Sequence, residues 1–85
     1  MQGYLRLNFS MKEKVREILS DIFEVSLEEA ESIGYGQHHN WDSMRHFLLI
    51  LALEDLWGIE IDEKDSARLK SLIEIILYYD SEINL

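Results

Sequence analysis

Asn40 to Gly58, NWDSMRHFLLILALEDLWG, decides the fold, because a polar loop, a helix start and a strong apolar run meet there. Asp42 is a good N-cap: its short carboxylate can accept the backbone N–H of Met44 or Arg45, so the helix is expected to begin at Ser43. That leaves the Ser43 hydroxyl free on the first turn, where the positive end of the helix dipole and unpaired N–H groups favour a phosphate. Phe47, Ile50, Leu53 and Trp57 then recur at helical spacing, widened by Leu49 and Leu56, and Gly58 supplies the stop. This stripe is expected to face a core. Met44, Leu48 and Leu51 fall on another side, so the helix is apolar over a wider arc than a small domain buries, and the second stripe is expected to face a partner or to be only partly covered. Glu54 and Asp55 put acid at the end where it opposes the dipole, which points to a use beyond stability.

The whole chain has 85 residues and a formal charge of −9, with no cysteine and no proline. Its length predicts one domain with a thin core, in which each buried Leu or Ile is worth roughly 1.5 to 3 kcal/mol. A large catalytic cleft is not expected. Without cysteine there is no disulfide framework, thiol nucleophile or thiolate zinc site, which fits a reducing compartment. The acidic balance argues against nucleic acid and anionic membrane surfaces and favours basic protein partners. No apolar run is long enough for stable membrane insertion and the N-terminus has no clear signal-peptide layout, so the expectation is a cytoplasmic monomer.

Outward from the central stretch, residues 1–10 read as a leader or flexible extension, in which Leu5, Leu7 and Phe9 alternate as in an extended arm or edge strand. Met11 is an alternative start. Ser10 and Glu13 form a capping box predicted to open a helix carrying Val15, Ile18, Leu19 and Ile22 on one face, with Phe23 beside them. A second box, Ser26 and Glu29, predicts a helical turn over residues 27–31, cut short by Ser32, Gly34 and Gly36. The long loop to Trp41 is expected to be pinned by Ile33, Tyr35 and Trp41. Beyond the central helix, Ile59 and Ile61 are expected to plug the end of a bundle, Asp62 to cap a short segment through Leu69, and Ser71 and Glu74 to open a final helix ending near Asp80. The predicted fold is all-α, a bundle of three main helices plus short segments, with the domain over residues 11–80 and a tail over 81–85.

Asp-Ser at a helix start is by itself a weak signal, because capping pairs are common. Its context is more specific. Trp41-Asp42-Ser43-Met44, then Ala52-Leu53-Glu54 with Asp55 behind it, then Trp57-Gly58-Ile59-Glu60-Ile61, closely resemble the acyl carrier protein family, whose members have an Asp-Ser-Leu or Asp-Ser-Met motif, an Ala-Leu-Glu stretch and a Phe-Gly-Ile-like segment in this order. The likeness runs from about Met11 to Tyr79. It implies an acyl-carrier-like bundle in which Ser43 carries 4'-phosphopantetheine, attached from coenzyme A by a phosphopantetheinyl transferase that Asp42 helps to position with its metal. It also implies that partner enzymes load the arm and transfer acyl or aminoacyl groups from it. The domain itself would then catalyse nothing, in keeping with the absence of a Ser-His-Asp layout.

Where typical fatty-acid carriers have acidic residues early in this helix, the present chain has Arg45, His46 and Leu48. The expected docking face is therefore Met44, Leu48 and Leu51 with Glu54 and Asp55. His38, His39 and His46 lack the fixed spacing of a metal cluster and read as loop and helix residues, so no metal site is expected. Glu28-Glu29 and Asp62-Glu63 read as helix-start charges. Tyr78 and Tyr79 read as core edge and surface, and Trp57 as a core plug. Three readings follow: an acyl carrier of fatty acid, polyketide or related biosynthesis; a peptidyl or aminoacyl carrier with the same chemistry; or an acidic helical adaptor without a prosthetic group.

Overall fold

In the computed structural model, residues 2–84 are described, with side chains from residue 11 onward. The elements are α1 (Gln2–Phe23), α2 (Leu27–Ala30), α3 (Ser43–Trp57), α4 (Glu63–Ser66) and α5 (Leu72–Tyr78), which runs on as a π-helix over Tyr79–Ile83. No strand is present among the described residues; Gly34 and Ser71 form an isolated bridge. The all-α expectation holds, with α1, α3 and α5 as the main helices.

α1 is the scaffold: α2, α3 and α5 all pack against it. It begins at Gln2, well before the start implied by the Ser10–Glu13 box. That expectation is corrected, as is the extended arm over Leu5 to Phe9: the backbone is helical there and passes through Ser10 without a break. A capping box marks where a helix is able to start; with no breaker between Tyr4 and Ser10, the hydrogen-bond ladder has no reason to stop. The side chain of Ser10 lies outside the described residues.

The core is built from periodic positions. Val15, Leu19 and Phe23 come from α1, Leu49, Ile50 and Leu53 from α3, and Leu72, Ile75 and Tyr78 from α5, all buried. Ile33 and Trp41 close it from the first connection, Ile61 and Leu69 from the second. Trp41 stacks on Phe23 with ring centroids 4.3 Å apart, so the long loop is anchored by a fully committed indole. Ile18, Ile22, Leu56, Trp57 and Ile59 are partly buried against this centre. Phe47 departs from the expected stripe: it is 58 % exposed. On a helix whose inward face is Leu49, Ile50 and Leu53, position 47 lies between Met44 and Leu51 on the outward side.

Local signals govern the connections. Ser26 and Glu29 make the full reciprocal capping box. Asp62 Oδ1 accepts the Asp65 N–H at 2.8 Å, and Ser71 Oγ accepts the Glu74 N–H at 3.3 Å. Helix α4 is shorter than expected, but Arg68 and Leu69 continue it as tight turns through bonds to the Asp65 and Ser66 carbonyls. At the bridge, Tyr35 N–H donates to the Lys70 carbonyl at 3.0 Å. Gly34 permits that approach: a Cβ there would stand 3.0 Å from the Gln37 side chain and 3.4 Å from the Lys70 carbonyl.

Helix α1 ends in a Schellman turn. Val25 N–H reaches back to the Ser20 carbonyl at 3.2 Å, and Glu24 takes the left-handed position with φ 57°. A side chain in that region costs about 1 to 2 kcal/mol, and glycine recovers it less about 0.5 to 1 kcal/mol for its extra freedom when unfolded. Glu24→Gly is therefore expected to stabilise the domain by about 0.5 to 1 kcal/mol in urea titration. A loss of stability would show that the exposed Glu24–Arg45 ion pair outweighs the strain.

Tyr78 is 5 % exposed and its hydroxyl donates to Asp65 Oδ2 at 3.0 Å. Burial first, then the Asp65 carboxylate, pushes its phenol up to about 12. The unfolded chain releases that proton near 10, so the associated stability is complete below pH 10 and is lost as pH rises through about 12. Tyr78→Phe is expected to flatten the fall in unfolding free energy over that window, as measured by denaturant titration at stepped pH.

Candidate functional site

The chain approaching α3 is held by hydrogen bonds at Asn40 and Trp41. Asn40 Nδ2 donates to the Phe23 carbonyl at 2.8 Å, tying the loop to the end of α1, and the Trp41 N–H donates to the His38 carbonyl at 3.0 Å. Asp42 then turns extended, with φ −99° and ψ −178°, and its Oδ1 accepts the Arg45 N–H at 2.9 Å. Asp42 thus satisfies the helix start, as the sequence predicts. Ser43 follows as the first helical residue, exposed to solvent. Among the described residues, no group hydrogen-bonds its hydroxyl.

Beside Ser43 opens a groove of about 650 Å³ between α3 and the second connection, lined by Tyr35, His46, Glu63, Ser66 and Lys70. His46 forms its inner wall. The Trp41 indole N–H donates to His46 Nδ1 at 3.0 Å, while His46 Nε2 lies 2.9 Å from the Ser66 carbonyl. An indole nitrogen only donates and a carbonyl only accepts, so Nδ1 is the accepting nitrogen of the ring and Nε2 carries the hydrogen. The edge of Tyr35 rests against the same imidazole with centroids 5.1 Å apart. Arg45 turns away from the groove to pair with Glu24 at 3.2 Å.

Met44, Phe47, Leu48 and Leu51 make an outward apolar strip on α3, with exposures of 67, 58, 46 and 45 %. Asp55 is exposed on the same face. Glu54 is placed differently from the other expected docking residues: it is half-buried, and its Oε2 accepts the Ile61 N–H at 2.8 Å, fixing the linker after Gly58. Gly58 itself is left-handed at φ 69°, and its N–H closes the helix on the Glu54 carbonyl. His38 and His39 stack on each other at 4.7 Å, and His38 Nδ1 is taken by the Asn40 N–H. Among the described residues no three potential ligands gather to hold a metal.

Sequence reasoning placed Ser43 and Asp42 together but missed the roles of His46, Ser66 and Lys70. His46 and Ser66 are distant in sequence and meet only because the second connection folds back over α3, so no local pattern marks them. The nearest signal is the Trp41–His46 spacing, which carries an indole from loop to helix but has no recurring form.

No protein-family model matches the chain. It is similar to an acyl carrier protein of Chlamydia muridarum, 32 % identical over 76 residues that cover 88 % of this chain and 99 % of that one. It is likewise 31 % identical over 74 residues to an acyl carrier protein of Nitratidesulfovibrio vulgaris, covering 86 % and 97 %. A protein named polyketide-8 synthase acyl carrier protein 1 of Streptomyces avermitilis is 30 % identical over 67 residues, covering 78 % and 80 %. With the helical bundle and the Asp-Ser pair opening α3, these likenesses place the chain in the acyl carrier protein family.

Proposed function

We propose that the chain carries acyl groups on a 4'-phosphopantetheine arm attached to Ser43 and presents them to partner enzymes of fatty acid, polyketide or related biosynthesis in the cytoplasm. The observation that carries this reading is the exposed Ser43 hydroxyl, left without a structural task because Asp42 caps the helix. The residues present fit the group. A phosphodiester on Ser43 would sit at the positive end of a 15-residue helix. Ser66 and Lys70 line the groove that begins there and offer polar partners to an amide-bearing arm. When attached, the arm supplies the terminal thiol that a chain without cysteine lacks, and holds the acyl group as a thioester.

The chain's own residues orient and present. Asp42 fixes the first turn of α3 and stands beside the hydroxyl where a transferase and its magnesium would engage. None of the groups near Ser43 is a base hydrogen-bonded to its hydroxyl, so the proton is taken by the modifying enzyme. Met44, Phe47, Leu48 and Leu51 form the apolar docking strip and Asp55 its acidic end, while Glu54 serves mainly to hold the linker.

Incubation with coenzyme A, magnesium and a permissive transferase is expected to add the mass of one phosphopantetheine. Ser43→Ala abolishes the increment. Asp42→Ala costs about 1 kcal/mol of stability through the lost cap and slows modification beyond what that loss explains. No increment on the wild-type protein would leave an acidic helical adaptor that uses the α3 strip alone. Asp55→Lys is expected to slow acyl transfer to a basic partner enzyme several-fold at low ionic strength, with the difference shrinking as salt is added. Equal rates at all salt concentrations would remove Asp55 from the docking face.

A further inference from the structure

We propose that His46 is a gate: it bars a group carried on Ser43 from entering the bundle between α3 and α4, so that this carrier keeps its cargo in the outer groove whatever the length of the acyl chain. The proposal rests on the carrier reading above.

Three observations carry it. The His46 ring lines the groove beside Ser43 and is fastened at both nitrogens, to Trp41 on α3's leading loop and to the Ser66 carbonyl at the end of α4. It therefore straps together the elements that would have to part. Behind it stands no soft side chain but the Trp41 indole, 2 % exposed and stacked on Phe23. An alkyl chain directed inward at this point has to break both bonds, leaving a buried indole N–H and a carbonyl without partners. Outside the strap the groove is open to solvent and mostly apolar, with Tyr35 and Ala67 in its lining and Glu63, Ser66 and Lys70 adding charge and a hydroxyl, so a group carried on Ser43 has a surface to lie against without entering the bundle.

The test compares the protein bearing a butyryl or a dodecanoyl group on the Ser43 arm by amide NMR and thermal melting. In the wild type, the amide shifts of the buried residues Leu53, Leu69 and Ile75 are expected to be the same for both groups, and the melting temperatures to coincide. His46→Ala is expected to make both depend on chain length, with the dodecanoyl form displacing the core amides and melting several degrees above the butyryl form. Trp41→Phe, which keeps a ring on Phe23 but removes the indole donor, is expected to do the same and serves if His46→Ala does not fold. Core amides that respond to chain length in the wild type overturn the gate, as does a wild-type pattern in the folded variants. Failure of the arm to attach at all, read as an absent mass increment, instead overturns the carrier reading and the gate with it.

Discussion

The imidazole of His46 joins the first connection, α3 and α4 through one ring. One nitrogen receives the indole of the loop residue Trp41 and the other gives its hydrogen to the last carbonyl of α4. Because the donor and acceptor are each of fixed kind, the ring has one tautomer and one orientation that satisfy both. Trp41 in turn stacks on Phe23 and so reaches α1. The start of α3, where Ser43 stands, is therefore referenced to α1 and α4 at once, by polar bonds at the rim of an otherwise apolar core.

Helix α3 divides its apolar residues between two duties. Leu49, Ile50 and Leu53 are buried, whereas Met44, Phe47, Leu48 and Leu51 remain accessible beside Ser43. An exposed strip of this kind carries a standing cost in solubility, which the charge of −9 offsets by mutual repulsion between copies. The two ends of the helix are handled by different chemistry. A carboxylate caps the first turn, and a left-handed glycine ends the last one while the adjacent Glu54 secures the linker.

Most of this was legible in the sequence because it is written locally. The Asp42 cap, the Ser26 and Ser71 boxes, the Gly58 stop and the periodic face of α1 each depend on residues a few positions apart. The family likeness rested on motifs of the same local kind. Phe47 was misassigned because a helix apolar on more than one side gives no phase from which to tell inside from outside; the choice is made by what packs against it. The beginning of α1 was misplaced because a capping box permits a start without enforcing one. His46, Ser66 and Lys70 were invisible as a group, since the bond between a histidine ring and a distant main-chain carbonyl leaves no trace in residue identity at the accepting end.

Asn40 adds a mechanical relation to this picture. Its side-chain amide holds the final carbonyl of α1 while its backbone leads directly into Trp41 and Asp42. The connection between α1 and α3 thus returns to the place it left, its ends clamped to each other and its middle held by α2, Ile33 and the bridge at Gly34. A chimera that transplants this connection from another domain of equal length would keep the span but lose the clamp. The first turn of α3 would then lose its direct tie to the end of α1, and the orientation of Ser43 would rest on the packing of Leu49, Ile50 and Leu53.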